Sequence, residues 1–492
     1  MSRRLRLLAA AAVAIAAAVL AAVWAGGLAA GPDLSGAIPV ARPPRIHPDY
    51  SGTVIPPNIA PLNFAVREDG RRFFVRIRSE SGPPIEIAAS TPQVRIPGDR
   101  WRALLEANAG KALCFDVYAE EDGLWRQYGS IANTIARDPI DSHLVYRLIR
   151  PLYSEYRNMA IQQRDLTNFR ESVVLDGKSL EGGCVNCHSF AANRPDPMLI
   201  GVRSAKYGQS TLLAGGDHVE KITAKFGFTA WHPTGRVVAY SINESVEFFH
   251  AVGRAMRDVI DLDAGLAYYR VEARTTRMVP RASDDQRLES HPTWSPDGRY
   301  LYYSSAPNPW KDGKAQPPEG YENLRYDLMR IRYDLEADRW GDPETVLSSR
   351  KTGLSILLPR ISPDGRFLLF CMCPHGSFPA FCPQSDLYLM DLGTGLHRRL
   401  DINSDASESW HSWSSNGRWI AFSSKRGSDP FTRCYLSFVA ETGKVHKPLV
   451  LPQRDPESCD SFLRTFSVPE LVAGPISVPG EALSRTARLP SE

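Results

Sequence analysis

Between residues 228 and 423 one arrangement of apolar and polar positions returns four times. The stretches "FTAWHPTGRVVAYS" (228–241), "HPTWSPDGRYLYYS" (291–304), "LPRISPDGRFLLF" (358–370) and "WHSWSSNGRWIAFS" (410–423) each read as an apolar strand, a polar turn and a second apolar strand. A Gly-Arg pair (235/236, 298/299, 365/366, 417/418) follows Thr234, Asp297, Asp364 or Asn416. Asp-Gly and Asn-Gly tolerate positive φ, so each turn is predicted to be a two-residue hairpin. Four residues before each Gly stand Trp231, Trp294, Ile361 and Trp413, a recurring apolar position that must be buried. A further strand follows in "VIDLD", "DLMRIRYD", "DLYLMDL" and "CYLSFVAET". Units of three or four strands, spaced 52 to 67 residues apart, cannot bury their faces singly. They must stack in a ring, which is the pattern of a β-propeller.

The rest of the chain is patterned differently. Residues 64–134 alternate like strands ("RRFFVRIRS", "KALCFDVYAE"), with one short helix, "DRWRALLEAN", stopping near Gly110. Residues 140–172 show helical spacing broken at Pro151. Eight prolines between 31 and 61 favour extended backbone and read as a tether. Ahead of them, Arg3, Arg4 and Arg6 precede an unbroken apolar run over 7–25. As a helix that run would span roughly 28 Å, about one hydrocarbon core. It is expected to be a membrane anchor, with a cleaved signal as the alternative, and the basic flank predicts that the remainder is exported. The expected organisation is an anchor or signal (1–30), a Pro-rich tether (31–61), a small β-rich domain (62–135), a helical and haem-binding segment (136–210), a propeller (211–475) and a C-terminal tail (476–492).

Composition narrows the classes of function. Lys and Arg number 58 against 55 Asp and Glu, so no electrostatic footprint for nucleic acid exists. The 36 glycines and 38 prolines, spread along the chain, suit a turn-rich β protein.

One short motif carries chemistry. In "EGGCVNCHSF" (181–190), Cys184, Cys187 and His188 form C-x-x-C-H. Two thiols at this spacing reach both haem vinyl groups, and the adjacent imidazole binds the iron. No second C-x-x-C exists to complete a zinc site. One covalent haem c is expected, with Cys184 and Cys187 as thioether links and His188 as proximal ligand. Met198, ten residues on, is the first candidate for the sixth ligand, and His143, Met159 and His218 are weaker ones. The other reading of Met198 is a gap-filling core residue. A His/Met pair would raise the reduction potential and suit electron transfer.

Six cysteines remain (114, 371, 373, 382, 434, 459), and in an exported protein they favour disulfides. "CMCPHGSFPAFC", with Cys371, Cys373, His375 and Cys382, is the alternative metal site. His291, Trp410 and His411 begin first strands and are candidates to face the central channel. No P-loop, H-E-x-x-H or G-x-S-x-G motif occurs.

The W-x-P-D-G-R and D-L-Y lines resemble the TolB-type propellers over about residues 210–470. That resemblance implies a mainly β fold of five to seven blades, six favoured, preceded here by the small β-rich domain, the helical segment and the haem attachment loop. The function expected is that of an exported, anchored c-type cytochrome on the periplasmic side of a bacterial inner membrane, or in the periplasm if the segment is cleaved. It would pass electrons through one haem to or from a redox partner protein, or a periplasmic protein complex, docked on the propeller. The alternatives are a propeller oxidoreductase with the haem as relay, and a TolB-like interaction scaffold whose haem is structural or sensory.

Overall fold

The computed structural model describes residues 31–150, 156–310, 318–428 and 430–490, with the backbone alone at Cys187. The apolar run over 7–25 lies outside them, and no helix among the described residues is long and apolar enough to cross a membrane.

The repeating strand pairs form as their pattern predicts. Their turns differ from two-residue hairpins. In the second repeat Gly298 N–H donates to the Ser295 carbonyl (2.8 Å), and Ser295 N–H donates to the Tyr300 carbonyl (2.8 Å). Four residues therefore lie between the closing pair. The four hairpin glycines take φ between +67° and +74°, which ends the turn without the steric cost a Cβ would bring. The residue before each Gly explains the rest of the motif. Asp297, Asp364 and Asn416 each accept the N–H of the Arg two positions on, at 3.0 Å, a local bond that fixes the turn.

Of the eight sheets among the described residues, six are four-stranded and form the ring. From the channel outward, blade 2 is Cys184–Phe190, Met198–Ser204, Gly208–Gly215 and His218–Ile222. Blades 3 to 6 begin at Thr229–Trp231, Arg287–Trp294, Ser355–Ile361 and Glu408–Trp413. Blade 1 joins both ends of the ring. The late strand Thr465–Val472 lies innermost and pairs with His143–Ile149, which is followed by Ala160–Asp165 and Glu171–Asp176. First strands of consecutive blades neighbour one another all the way round, so the ring is closed. Trp294 and Trp413 stitch it: each indole N–H donates to a carbonyl of the preceding first strand, Ala230 (3.2 Å) and Arg360 (3.0 Å).

This corrects the expectation of a helical segment. Residues 143–149 have buried positions on both faces, and a continuous apolar run of that length suits a central strand as well as a helix. The propeller thus takes in 143–222 as well as the later repeats. The proline-rich stretch is likewise not a free tether. Ile38–Val40 pairs with Leu124–Tyr128, Ile46–His47 with Phe64–Val66, and Val54–Ile55 with Ile131–Ile135. Short edge strands tolerate prolines between them. These pieces complete the small domain, where the helix Gly98–Ala107 buries Trp101, Leu104 and Leu105. One apolar core runs from that domain into blades 1 and 6 through Tyr146, Phe466 and Trp419. At the C-terminus, helix Gly480–Ala487 packs against the outer strands of blades 1 and 2.

Candidate functional site

The ring has two unlike poles. Tight turns join first and second strands at one. Longer connections join second and third strands at the other, including 250–256 and 374–385. The C-x-x-C-H segment is the first strand of blade 2. Cys184 pairs with Arg203 at the loop pole and Phe190 with Met198 at the turn pole.

A register irregularity recurs at the same height in the first strands. In blade 2 it falls between Asn186 and Ser189, in blade 4 between Ser290 and Thr293, in blade 5 between Leu357 and Arg360, and in blade 6 between Ser409 and His411. His291, Leu358, Trp410 and Val468 hold positive φ there (55°, 53°, 44° and 51°). Such a bulge re-aims a side chain. Cys187 falls at the equivalent backbone position and His188 one residue further on; the side chain of Cys187 lies outside the described residues.

The motif's other groups are buried together. Cys184 is 2 % exposed. Its thiol donates to the Met159 thioether at 3.7 Å and accepts from Arg203 Nη2 at 3.4 Å. Arg147 bonds Asn186 and Ser467. His188 is also 2 % exposed, and neither ring nitrogen has a hydrogen-bond partner among the described residues. Burial, then Arg147, pushes its pKa down to about 4, while the carbonyls of Val145 and Val468 act the other way. The ring is therefore neutral at pH 7. Met198 is buried on the apolar face between blades 1 and 2 with Ile200 and Val202, opposite Phe190 on the ladder. Of the sulfurs proposed from sequence, Met159 stands beside the motif thiol.

The channel is closed at mid-height by aromatic rings. Phe228 meets His291 edge-on at 4.2 Å and stacks on Trp410 at 5.9 Å, and Phe378 from the loop pole meets Trp410 at 5.4 Å. His291 is buried, and neither nitrogen has a hydrogen-bond partner among the described residues. His411 is a packed group instead: its ring contacts the Leu369 carbonyl (3.1 Å) and the Cys371 thiol (3.7 Å).

At the loop pole Asp258 holds two imidazoles, His250 at 2.8 Å and His375 at 3.7 Å. The Asp258 carboxylate beside it raises the pKa of His375. Cys373 and Cys382 lie in contact there, which pushes Cys373 up and Cys382 down. The expected disulfides are not formed: Cys114, Cys371, Cys373, Cys382, Cys434 and Cys459 are free thiols. No cluster of three His, Cys, Asp or Glu groups that could hold a metal ion occurs among the described residues.

No family model matches this chain, and no curated protein matches it. Solved structures do. TolB from Acinetobacter baumannii is 14 % identical, with a TM-score of 0.43 over 76 % of this chain and 85 % of that one. Oligogalacturonate lyase from Vibrio parahaemolyticus is 13 % identical, with a TM-score of 0.34 over 77 % of this chain and all of that one. Hydrazine synthase from Kuenenia stuttgartiensis is 14 % identical, with a TM-score of 0.31 over 53 % of this chain and 64 % of that one.

Sequence reasoning offered "FSVPEL" (466–471) and the segment near 200–225 as strands of one or two further blades without assembling those blades, and it missed the buried acids. Glu289, Asp261 and Glu470 are pushed up by burial to about 8, 6 and 7. The missing blades had a signal. Phe190 and Leu471 occupy the recurring Trp position, three residues after Cys187 and Val468, just as Trp294 follows His291.

Proposed function

We propose that this chain is an exported c-type cytochrome built into a six-bladed propeller, passing electrons through one haem to or from a protein docked on the ring. Cys184 and Cys187 would hold the haem covalently, and His188 would be its proximal ligand. The observation that carries the reading is the His188 ring, placed in a C-x-x-C-H strand, buried, and without a hydrogen-bond partner on either nitrogen among the described residues. Leaving a buried polar atom unpaired costs about 1–3 kcal/mol, which ligation would remove at one nitrogen. The second nitrogen has the Val145 and Val468 carbonyls at hand, the type of partner that orients a metal-bound imidazole. Bound there, a haem supplies one-electron chemistry.

The chain's own residues set the surroundings. Arg147, held by Asn186 and Ser467, places a positive charge beside His188. Met159 offers a thioether next to Cys184, and Met198 is the second choice as sixth ligand. Anchoring through the 7–25 run belongs to the same proposal.

The test is the absorption spectrum and intact mass of the exported full chain, oxidised and reduced, with and without carbon monoxide. One covalent haem, low-spin and indifferent to carbon monoxide, is expected. Met159→Leu should shift spectrum and potential more than Met198→Leu. A chain that matures without haem, with Cys184 and Cys187 free or joined to each other, overturns the reading.

A further inference from the structure

At the turn pole, on the far side of the aromatic plug from the loops, the channel opens into a cavity of about 170 Å³. At about 30 Å³ per water it has room for roughly half a dozen waters. Its wall is made by the residues that follow the bulge in each blade, among them Ser189, Thr293, Arg360, Ser412 and Glu470. We infer that this cavity binds a carboxylate group, with the Arg360 guanidinium and the Trp231 indole N–H as its donors. The inference is independent of the haem.

Three observations carry it. First, Arg360 reaches the cavity with its five N–H groups nearly unused. Among the described residues its guanidinium has one polar partner, Glu470, at 3.6 Å and beyond hydrogen-bond distance. Second, Trp231 breaks a pattern. Trp294 and Trp413 donate their indole N–H to the preceding blade. Trp231 lines the cavity, and its indole N–H is buried with no acceptor among the described residues. Third, the remaining polar wall offers donors. Ser189 and Ser412 already accept, from Thr229 (2.8 Å) and the Leu471 N–H (3.2 Å), so their own protons are free. The fork of a guanidinium matches a carboxylate in two parallel bonds. Glu470, which shares the cavity wall, disfavours a dianion such as phosphate.

Glu470 also couples binding to protons. Burial holds its pKa near 7, against the pull of Arg360. An incoming carboxylate takes Arg360 and leaves Glu470 to pick up a proton. The other groups that feel Arg360, the His291 and His411 rings, are held at about 3 and stay neutral from pH 6 to 8. Binding should therefore weaken as pH rises through 7.

The carboxylate could belong to a free small acid or to the end of a peptide chain. Calorimetric titration of the full chain with acetate, succinate, and a short peptide with free or amidated C-terminus separates these at pH 6 and 8. Saturable binding, tighter at pH 6 and with net proton uptake in wild-type protein, is expected. Arg360→Gln should bind at least about tenfold more weakly, as loss of charge-assisted bonds implies. Trp231→Phe keeps the ring and should lose about threefold or more. Glu470→Gln should bind more tightly and lose the pH dependence. A free-ended peptide that outbinds acetate, with its amide inert, identifies a chain terminus; acetate or succinate binding as well identifies a free acid. No saturable binding by wild type, equal binding of phosphate, or unchanged affinity in folded Arg360→Gln overturns the inference.

Discussion

Replacing Glu289 by Gln tests the electrostatics of the ring directly. Glu289 lies in the first strand of blade 4, 1 % exposed. Ser305 donates to one carboxyl oxygen at 3.3 Å, and the other oxygen has no partner among the described residues. The Arg287 guanidinium stays 3.9 Å away. Burial, reinforced by Asp284, therefore raises the pKa from 4.5 to about 8. A carboxyl raised in this way is neutral in the folded protein and ionised in the unfolded chain between those values. Its contribution to stability is intact below about pH 4.5 and falls as pH rises towards 8. At about 1.36 kcal/mol per unit, the loss between pH 5 and 8 approaches a ceiling of about 3.5 kcal/mol. Relaxation and water entry reduce that, and about 1.5 kcal/mol is a conservative expectation. Gln keeps the shape and cannot ionise. Urea unfolding followed by tryptophan fluorescence, at pH 5, 6, 7 and 8, gives the difference between variant and wild type. Asp261 and Glu470 titrate in both proteins and cancel in that difference. Glu289→Gln should gain on wild type steadily as pH rises. A difference constant to within about 0.5 kcal/mol over the range would refute the reasoning.

Two further outcomes follow from the same packing. Trp419 is fully buried between blade 6 and the small domain, donating to the Asp138 carbonyl at 3.0 Å; Trp419→Ala should cost about 3–5 kcal/mol in urea unfolding and speed proteolysis between the small domain and the ring. His375 owes its raised pKa to Asp258, so in Asp258→Asn its NMR titration should move down. Because a raised imidazole stabilises below its unfolded pKa and that benefit is lost as pH rises through the folded value, the variant's deficit should be full below the ordinary imidazole range and shrink as pH rises above it. A titration unmoved by Asp258→Asn would count against the pairing.

Legibility followed locality. The four Gly-Arg turns were readable because each is fixed within six residues by a positive-φ glycine and a side chain bonding its own backbone. Blade 1 was not, because its innermost strand lies more than 300 residues from its partner, and nothing local to "LVYRLI" records that Thr465–Val472 will cover it. Blade 2 was hidden for a different reason. Its first connection, 191–197, replaces the usual turn with a 3₁₀ turn at Ala191–Asn193, so no Gly-Arg marks it. The tether failed because proline excludes central strands but not the short edge strands that 38–55 supply.

The motif's position in the ring explains how one sequence serves both fold and site. His188 stands one residue past the bulge position, where blades 1, 4 and 5 place Pro469, Pro292 and Pro359. A proline there shows that the position needs no backbone N–H, since proline has none to give. Its side chain is thus free of any duty to the ladder, and an imidazole can stand there without weakening the blade. The next residues resume the structural pattern: Ser189 joins the cavity wall and Phe190 takes the tryptophan position. The demands on C-x-x-C-H and on a propeller's first strand therefore fall on different atoms. Substituting His188 should disturb whatever the ring binds while leaving the blade folded, whereas substituting Phe190 should do the reverse. Circular dichroism and the visible absorption spectrum of His188→Ala and Phe190→Ala, read against the proposed haem, separate the two, and a His188→Ala protein that unfolds would show that the imidazole is part of the core.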